Sequence, residues 1–403
     1  MSFLTPFQPG DAGEIADFLR AQSDAGRPVH VRGGGSKASF GRPPVGGAID
    51  LGGISGITLY EPGELVLTAR AGTRLRDITA AVAEHGQCLA FEPPEFGNLF
   101  GGADGESTLG GVVASGWSGP RRIRAGAVRD HVLGAQAVGG DGQLFKSGGR
   151  VVKNVTGFDL PKLLTGSHGT LAVMTEITIT VTPAAESRHT MIVLGLDAAA
   201  AIRLLSDLLG GPYEVAGAAH LPEAIAARLC IPALGGKSAT PVRLEGFGPS
   251  VADRRAALEA RLGRDHAYIA ADPAIADPLW RAVRDVAALV EPDRIVWRLS
   301  LPATDAAQMV GNLAAVVAVD AFYDWGGSLV WLALPPAADA HAGLVRSMLP
   351  AGHATLMRAP PEARYAAPVF HPQPPALAAL SRRVKAAFDP RGILAPNFME
   401  TEA

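Results

Sequence analysis

Two glycine-rich segments in the first third of the chain constrain its fold most strongly. The first, RGGGSK at 32–37, directly follows the short run Val-His-Val at 29–31, and the second, TLGGVVASGWSGP, spans 108–120. Glycine lets backbone N–H groups approach an anion closely and adopts positive φ angles without strain. One such loop indicates little. Two in one part of a chain indicate a nucleotide whose phosphates are held from two sides.

Neither segment matches a standard nucleotide-binding motif. Elsewhere in the chain, the triplet Gly-Lys-Ser at 236–238 resembles the end of a P-loop. Ile231 occupies the position of that motif's first glycine, so this triplet is not a P-loop either. The glycine spacing at 110–116 also differs from the GxGxxG fingerprint of a Rossmann fold. From the residues alone, a glycine-rich turn without a ligand explains 32–37 as well as a phosphate-binding turn does. Close packing through small residues is a second explanation of 110–116.

The charged and titratable candidates leave similar alternatives. A run of arginines follows the second glycine segment, at Arg121, Arg122, Arg124 and Arg129. Arginine binds phosphate or carboxylate through two parallel hydrogen bonds, but a charge run is more often a solvated face. His168, in Gly-Ser-His-Gly-Thr, is expected in an exposed loop rather than at a catalytic centre. No histidine, cysteine or acidic pattern predicts a metal site, and no catalytic residue is assigned.

The apolar patterns predict a mixed α+β fold. Asp11 and Glu14 have the spacing of a capping box before an amphipathic helix, and Asp141-Gly142 predicts a hairpin with a type I′ turn. Beyond a boundary near 183–188, the order β-α-β-β-α-β occurs about twice, which is typical of ferredoxin-like units. A last amphipathic helix precedes an extended tail.

Charge and cysteine usage exclude several classes. The formal net charge is −3, which argues against nucleic-acid binding. Cys88 and Cys230 are too few for an iron–sulfur cluster and form no disulfide framework. No signal peptide or membrane-spanning run is predicted, so a cytoplasmic location is expected.

A resemblance to a known family rests on four segments in fixed order: RGGGSK, TLGGVVASGWSGP, AGAVRDHVLGAQAVGGDG and KNVTGFDLPKLLTGSHGTLAVMTEITITV. Together they resemble the FAD-binding domain of the vanillyl-alcohol oxidase type, also called the PCMH type. Within that family they are most similar to flavin subunits of bacterial glycolate oxidases. The resemblance implies a two-subdomain PCMH-type FAD-binding domain at 1–185 and a ferredoxin-like α+β cap domain at 186–370. At 371–403 a C-terminal helix and tail would return to the FAD domain.

The resemblance also implies which residues hold FAD. One side of the cofactor would meet Arg32, Gly33, Gly34, Gly35, Ser36 and Lys37. The other side would meet Thr108, Gly110, Gly111, Ala114, Ser115, Ser118 and Gly119. Gly169 and Val173 would present backbone to the flavin or adenine end, and Asn397 would lie near the flavin. Neither glycine-rich segment contains a histidine, so the FAD is expected to be bound non-covalently.

The chain departs from the family at one stretch of the cap domain, and this departure limits the activity that the resemblance implies. Relatives that oxidise 2-hydroxy acids carry a histidine-containing run in the cap domain, whereas this chain has GGSLVW at 326–331. Removing a hydride from a hydroxy acid needs a base for the hydroxyl proton. The resemblance therefore implies a subunit that supports oxidation of glycolate to glyoxylate by holding flavin, relaying electrons or assembling the complex.

Its implied partners are a sister FAD subunit and an iron–sulfur subunit, with a small hydroxy acid as the substrate of the complex. The complex would be cytoplasmic, or peripheral at the inner membrane through those partners. Two alternatives stay open. One is a stand-alone FAD-dependent 2-hydroxy-acid or alcohol dehydrogenase. The other is a scaffold that has lost flavin, an alternative that Lys37 keeps open because relatives often have a small residue there.

Overall fold

The computed structural model describes residues 6–103, 105–150, 157–396 and 398–399. The chain divides into two compact units. The first comprises Met1–Ser118, Gly126–Pro183 and Pro372–Ala403, and the second comprises Gly119–Ala125 and Ala184–His371. Each unit is described by itself below.

The strands of the described chain are β1 Val29–Arg32, β2 Gly47–Asp50, β3 Ile57–Glu61, β4 Val66–Arg70, β5 Gln87–Cys88, β6 Val132–Gly139, β7 Leu144–Gly148, β8 Ala172–Thr180, β9 Thr182–Pro183, β10 Ser187–Leu194, β11 Gly217–Ala218, β12 Ala239–Gly246, β13 Tyr268–Ala271, β14 Ile295–Ser300, β15 Asp320–Asp324, β16 Leu329–Leu334 and β17 His353–Arg358.

The α-helices are α1 Ala12–Asp24, α2 Leu75–Ala83, α3 Leu109–Ser115, α4 Arg122–Ala125, α5 Val128–His131, α6 Leu160–Leu164, α7 Ala198–Gly210, α8 Glu223–Arg228, α9 Gly248–Leu262, α10 Pro273–Arg284, α11 Ala303–Ala314, α12 Ala342–Ser347, α13 Pro361–Ala366 and α14 Pro375–Phe388. Short 3-10 helices lie at Leu51–Gly53, Pro62–Glu64, Asn98–Phe100, Pro232–Leu234, Ala287–Leu289 and Trp325–Gly327. Among the described residues, no helix has both the length and the apolarity that crossing a bilayer requires.

An antiparallel sheet organises the described part of the first unit, with the strand order β3-β4-β8-β6-β7. The central strand β8 is buried along nearly its whole length, which suits its β-branched sequence. β1 and β2 form a separate parallel pair, and β5 pairs with β9. The parallel pair ends where the first glycine-rich segment begins.

The signal at the start of α1 is confirmed. Asp11 Oδ1 accepts a hydrogen bond from the Glu14 N–H at 2.9 Å, and the Glu14 carboxylate accepts one from the Gly10 N–H at 2.8 Å. Ile15 and Leu19 are fully buried in the core of the unit. Capping and one apolar face together therefore define this helix.

The predicted hairpin is present, but its predicted turn type was wrong. β6 pairs with β7, yet of the three residues at 140–142 only Gly142 has a positive φ, +78°. The Gly142 N–H donates to Gly139 O and the Gly139 N–H donates to Gln143 O, both at 2.9 Å. This is a type I turn followed by a left-handed glycine, a common three-residue hairpin loop. A side chain at Gly142 would approach Ala16 O to 2.6 Å, so glycine is also required by helix α1.

The C-terminal segment is held within the first unit by backbone and side-chain bonds. The Val29 N–H donates to Ile393 O at 2.8 Å, and the Ala395 N–H donates to Val29 O at 2.7 Å. Buried Asp389 accepts from the N–H groups of Ile393 and Leu394 at 3.1 and 2.8 Å. The chain after α14 is thereby fixed beside β1.

The second unit is built from two antiparallel sheets in its described residues, β11-β12-β10-β13 and β15-β16-β14-β17. Counting strands in chain order within each sheet, both have the order 2-3-1-4. A helix follows the first strand and another precedes the fourth, α7 and α9 in one sheet and α11 and α12 in the other. This is the βαββαβ arrangement of ferredoxin-like folds, so the predicted repeat is confirmed.

Candidate functional site

The two glycine-rich segments pack directly against each other in the first unit. A Cβ atom at Gly33 would overlap Thr108 Oγ1, and one at Gly34 would overlap the backbone oxygen of Glu106. Gly35 has φ +76° and open space where a side chain would be. Glycine is therefore needed at Gly33 for close approach to the Thr108 side chain and at Gly34 for close approach to the backbone of Glu106. At Gly35 it allows the left-handed turn.

Lys37 places a cation between the two segments. Its Nζ donates to Ser36 Oγ at 3.3 Å and to Ser107 Oγ at 3.5 Å, and these hydroxyls lie 3.2 Å apart. Burial lowers the pKa of Lys37 to about 8, and the negative charge of Glu95 partly opposes that shift. Among the described residues, no carboxylate oxygen lies within ion-pair distance of Lys37 Nζ. A buried cation without such a partner suits an anionic ligand.

Arg32, the first residue of the segment, is engaged elsewhere. Its guanidinium donates to Asp50 Oδ2 at 2.7 and 3.1 Å across the parallel pair β1–β2. Burial tends to raise the pKa of Asp50, but hydrogen bonds from the Gly52 N–H and from Arg32 outweigh it, and the pKa is lowered. Arg32 therefore ties the end of β1 to β2, which fixes the start of the glycine turn.

Helix α3 forms the core of the second segment. Thr108 caps it by accepting from the Gly111 N–H at 3.2 Å, and Gly116 ends it with φ +68°. Gly110 lies against the backbone of Ala71, where a Cβ would approach Ala71 Cβ to 2.8 Å. Ser115 Oγ donates to Val112 O at 3.1 Å within the same helix. Close packing through small residues, one of the two explanations left open, is thus realised for Gly110.

A third loop, at 166–170, is hydrogen-bonded to the C-terminal end of α3. The Gly166 N–H donates to Val113 O at 3.0 Å, and the His168 N–H donates to Ala114 O at 2.8 Å. Gly169 has φ +72° and faces Val31 of β1. Ser167 Oγ is buried, and within the described chain it has no hydrogen-bond partner. An unsatisfied buried hydroxyl is costly, so this atom suits a ligand group.

The expectation that His168 is exposed was wrong. Its side chain is partly buried, and its ring centroid lies 5.3 Å from that of Phe40. Burial, reinforced by the nearby Lys37 cation, lowers the pKa of His168 to about 4. The imidazole is therefore neutral at pH 7.

An aromatic cluster joins the ends of these segments, and the sequence analysis missed it. It consists of Phe40, Phe96, Phe100, Trp117, His168 and Phe398. Neighbouring ring centroids are close: 4.9 Å for Phe40–Trp117, 5.2 Å for Phe96–Trp117 and 5.4 Å for His168–Phe398. No periodicity signals this cluster, because its members are brought together only by the fold. The one local signal is that an aromatic residue accompanies each glycine-rich segment, with Phe40 just after the first and Trp117 inside the second.

The remaining predicted residues are placed as follows. Ser118 Oγ accepts from the Val128 N–H at 3.0 Å at the start of α5, and Val173 is fully buried in the core through its side chain. Gly119 belongs to the second unit, where its carbonyl accepts from Trp325 Nε1 at 3.1 Å. Asn397 and the motif residues at 153–156 lie outside the described residues.

Two members of the arginine run are paired within the second unit. Arg121 binds Glu245 through two hydrogen bonds of 2.8 and 2.9 Å, and Arg124 Nη2 lies 3.2 Å from Glu214 Oε1. Both guanidinium groups are therefore paired with carboxylates of the protein itself rather than oriented toward a substrate carboxylate. In the part of the chain that the structure describes, no group of three or more histidine, cysteine or acidic side chains could hold a metal ion.

The residues present fit FAD. The crowded glycines at 33–34 bring two backbones together beside the Lys37 cation, a combination suited to a diphosphate. The unpartnered Ser167 hydroxyl offers a further polar contact. The aromatic cluster offers an apolar surface of the kind a flat ring system packs on.

Comparisons with known proteins agree with this fit. Residues 6–148 match the FAD binding domain family. Over 378 residues the chain is 34% identical to the glycolate oxidase subunit GlcE of Escherichia coli (strain K12), covering 93% of each chain. Over 203 residues it is 30% identical to the glycolate oxidase subunit GlcD of Bacillus subtilis (strain 168), covering 50% of this chain and 42% of that one.

Among solved structures, 4-ethylphenol oxidase from Gulosibacter chungangensis has the same fold. Its TM-score is 0.72 at 14% identity, and the match covers 97% of this chain and 88% of that one. The predicted α+β fold class with a PCMH-type FAD-binding domain is confirmed, and so is FAD as the cofactor.

Proposed function

The chain belongs to the family of the glycolate oxidase subunit GlcE, and from that premise we propose that it is the FAD-binding subunit of a glycolate oxidase complex. It supports oxidation of glycolate to glyoxylate by holding flavin and by relaying electrons or assembling the complex. The observation that carries the proposal is similarity over 93% of both chains, combined with glycine-rich segments that pack together as a cofactor cradle requires.

This chain's own residues have distinct tasks in that role. FAD, when bound, supplies the two-electron acceptor for converting an alcohol to a carbonyl. Lys37 neutralises charge on the diphosphate, and the backbone of 33–35 leaves room for it. The aromatic cluster excludes water on one side of the cradle. The segment 326–331 contains no titratable side chain, which supports assigning the proton-accepting base of glycolate oxidation to another subunit.

Partners follow from the same premise. The chain functions in a multi-subunit glycolate oxidase, and it also resembles a GlcD subunit over half its length. We assign the partners as a sister FAD subunit and an iron–sulfur subunit. Cys88 and Cys230 alone cannot ligate a cluster, so clusters belong to a partner. The complex is proposed to be cytoplasmic, with any contact to the inner membrane made by partner subunits.

A matched pair of glycine variants tests cofactor binding. Gly34→Ala places a methyl group against the Glu106 carbonyl and the Arg74 guanidinium, so the two segments must separate. Gly63→Ala meets no atom within 4 Å and is the control. We expect the wild-type chain and Gly63→Ala to purify yellow with FAD released on denaturation, and Gly34→Ala to lose most of its flavin. A colourless wild-type chain that takes up no added FAD would establish the scaffold alternative instead.

Co-purification tests the proposed partners, and a dye-linked assay tests whether glycolate oxidation needs the whole complex. Tagged chain isolated from its native cells should retain the sister flavin subunit and the iron–sulfur subunit. The assembled complex should reduce dye with glycolate, whereas the chain alone should show at most a small fraction of that rate. Turnover of glycolate by the isolated chain at the rate of the complex would favour the stand-alone dehydrogenase.

A further inference from the structure

Helix α14 leaves the leucines of its N-terminal half exposed. No residue of this helix is buried, and Leu377 and Leu380 are 48% and 52% exposed. The C-terminal half differs, because Val384 and Phe388 are partly buried against the core of the first unit. Only that half is therefore held by the core of the unit, and the two leucines beyond it stay in contact with water.

The exposed leucines continue the apolar stripe that the rest of the helix packs on the unit. Leu377, Leu380, Val384 and Phe388 follow one another at spacings of three, four and four residues, so they lie along one face of the helix. Such spacing is typical of a helix that packs against a second helix. We call these four residues the α14 stripe, which is about 16 Å long at the rise of an α-helix.

A groove begins at the C-terminal end of the α14 stripe. It has a volume of about 570 Å³, and Phe388, Phe145 and Phe158 supply its aromatic lining. The ring centroids of Phe145 and Phe388 are 5.9 Å apart, whereas Phe158 is 88% exposed. Lys146 and Asp141 also line the groove, so its own charges balance. Stripe and groove together form an apolar surface larger than the singly scattered apolar side chains of an ordinary protein surface.

The charge of helix α14 indicates what kind of partner this surface fits. The helix contains Arg382, Arg383 and Lys385 and no carboxylate. Lys385 pairs with Asp389, but in the part of the chain that the structure describes no carboxylate lies within ion-pair distance of the exposed Arg382 or Arg383. Joining this face to a second copy of itself would bring like charges together, whereas acidic side chains on a different partner would complement them.

We propose that the α14 stripe and the groove beside it bind an acidic amphipathic helix of another subunit. The apolar face of that helix covers Leu377, Leu380 and Phe158, and its carboxylates pair with Arg382 and Arg383. A protein helix suits this surface better than a lipid bilayer does, because the groove is concave and the exposed half of α14 carries no aromatic residue. The inference rests on the proposed function, since it needs a multi-subunit complex, and it adds the place of one contact with a partner.

Photo-cross-linking in the assembled complex tests the proposal. A photoreactive phenylalanine analogue at Leu380 of the tagged full chain should cross-link to a partner subunit. The cross-linked segment should have apolar residues three and four apart and an excess of aspartate and glutamate. The same analogue at Val316, which is 64% exposed in the second unit, is the control and should not cross-link to that segment.

Charge and polarity variants give a second readout. Leu380→Glu and Arg383→Glu should each lower the amount of partner subunit retained per tagged chain at least tenfold. Val316→Glu and Arg264→Glu make the same changes at exposed positions elsewhere and should retain as much partner as wild type does. Circular dichroism and the flavin content of each preparation establish that the variants are folded.

The outcomes separate this site from the proposed function. Equal retention of partner subunits by wild type and folded Leu380→Glu and Arg383→Glu overturns the site and leaves the proposed complex intact. So does cross-linking from position 380 only to a second copy of the chain, or binding to phosphatidylglycerol vesicles that Leu380→Glu abolishes. A wild-type chain that retains no partner subunit overturns the proposed complex, and this site with it.

Discussion

Lys37 places a positive charge in the cofactor cradle, where the two glycine-rich segments meet. Lys37 Nζ lies within hydrogen-bond distance of both Ser36 Oγ and Ser107 Oγ. With its pKa lowered to about 8 by burial, the ammonium is mostly charged at pH 7 and mostly neutral at pH 9. Its lack of an ion-pair partner among the described residues makes a bound diphosphate its best acceptor.

We predict that Lys37→Met raises the Kd for FAD roughly 10- to 100-fold, since hydrogen bonds to charged groups contribute about 1.5–3 kcal/mol. Wild-type affinity should also fall as the pH rises from 7 to 9, because the cation is lost, and the variant should lack that dependence. Fluorescence titration of the apoprotein with FAD measures both. Lys146→Met, at an exposed position on β7, is the control. An unchanged Kd in Lys37→Met would assign Lys37 a packing role only.

At the scale of elements, the segment after α14 is a clamp on the third loop. Lys385 Nζ donates to Asp389 Oδ2 and Thr170 O at 2.6 Å and to Leu394 O at 2.7 Å. Asp389→Asn removes the fully buried carboxylate that pairs with this partly buried cation, so we predict a loss of roughly 3–5 kcal/mol in the free energy of unfolding. Asp17→Asn, which breaks an exposed pair in α1, should cost less than about 1 kcal/mol. Urea denaturation compares them, and equal losses would contradict the clamp.

Elements were predictable from the sequence where local chemistry determines them. The capping residues of α1 and the twofold βαββαβ order depend on neighbours along the chain, and both are confirmed. The turn at 140–142 was misassigned because packing of Gly142 against α1 decides which residue becomes left-handed. The aromatic cluster depends on contacts between distant segments, which no single-sequence pattern reveals.

At the scale of the whole molecule, each unit contains a histidine that folding keeps neutral. His168 lies in the first unit and His220 in the second, and burial lowers the pKa of each to about 4. His220 is fully buried, with Nδ1 2.9 Å from Thr240 Oγ1. In the unfolded chain both titrate near 6.5. Between pH 6.5 and 4 the unfolded state therefore binds more protons, so folding stability falls as the pH falls through this range.

The fully buried His220 should dominate this effect. Linkage gives a loss of about 2 kcal/mol from His220 between pH 7 and pH 5. Well above pH 6.5 both histidines are neutral in the folded and the unfolded states, so neither contributes a slope there. We predict that His220→Asn, which keeps a hydrogen-bonding group near Thr240, loses less stability on acidification than wild type does. Urea unfolding at pH 7 and pH 5 gives the difference between the two proteins, which removes the shared titration of carboxylates. If the free energy of unfolding falls equally in the two proteins between pH 7 and pH 5, the prediction is wrong. His220 would then become protonated in the folded protein, with its imidazole exposed before the unit unfolds.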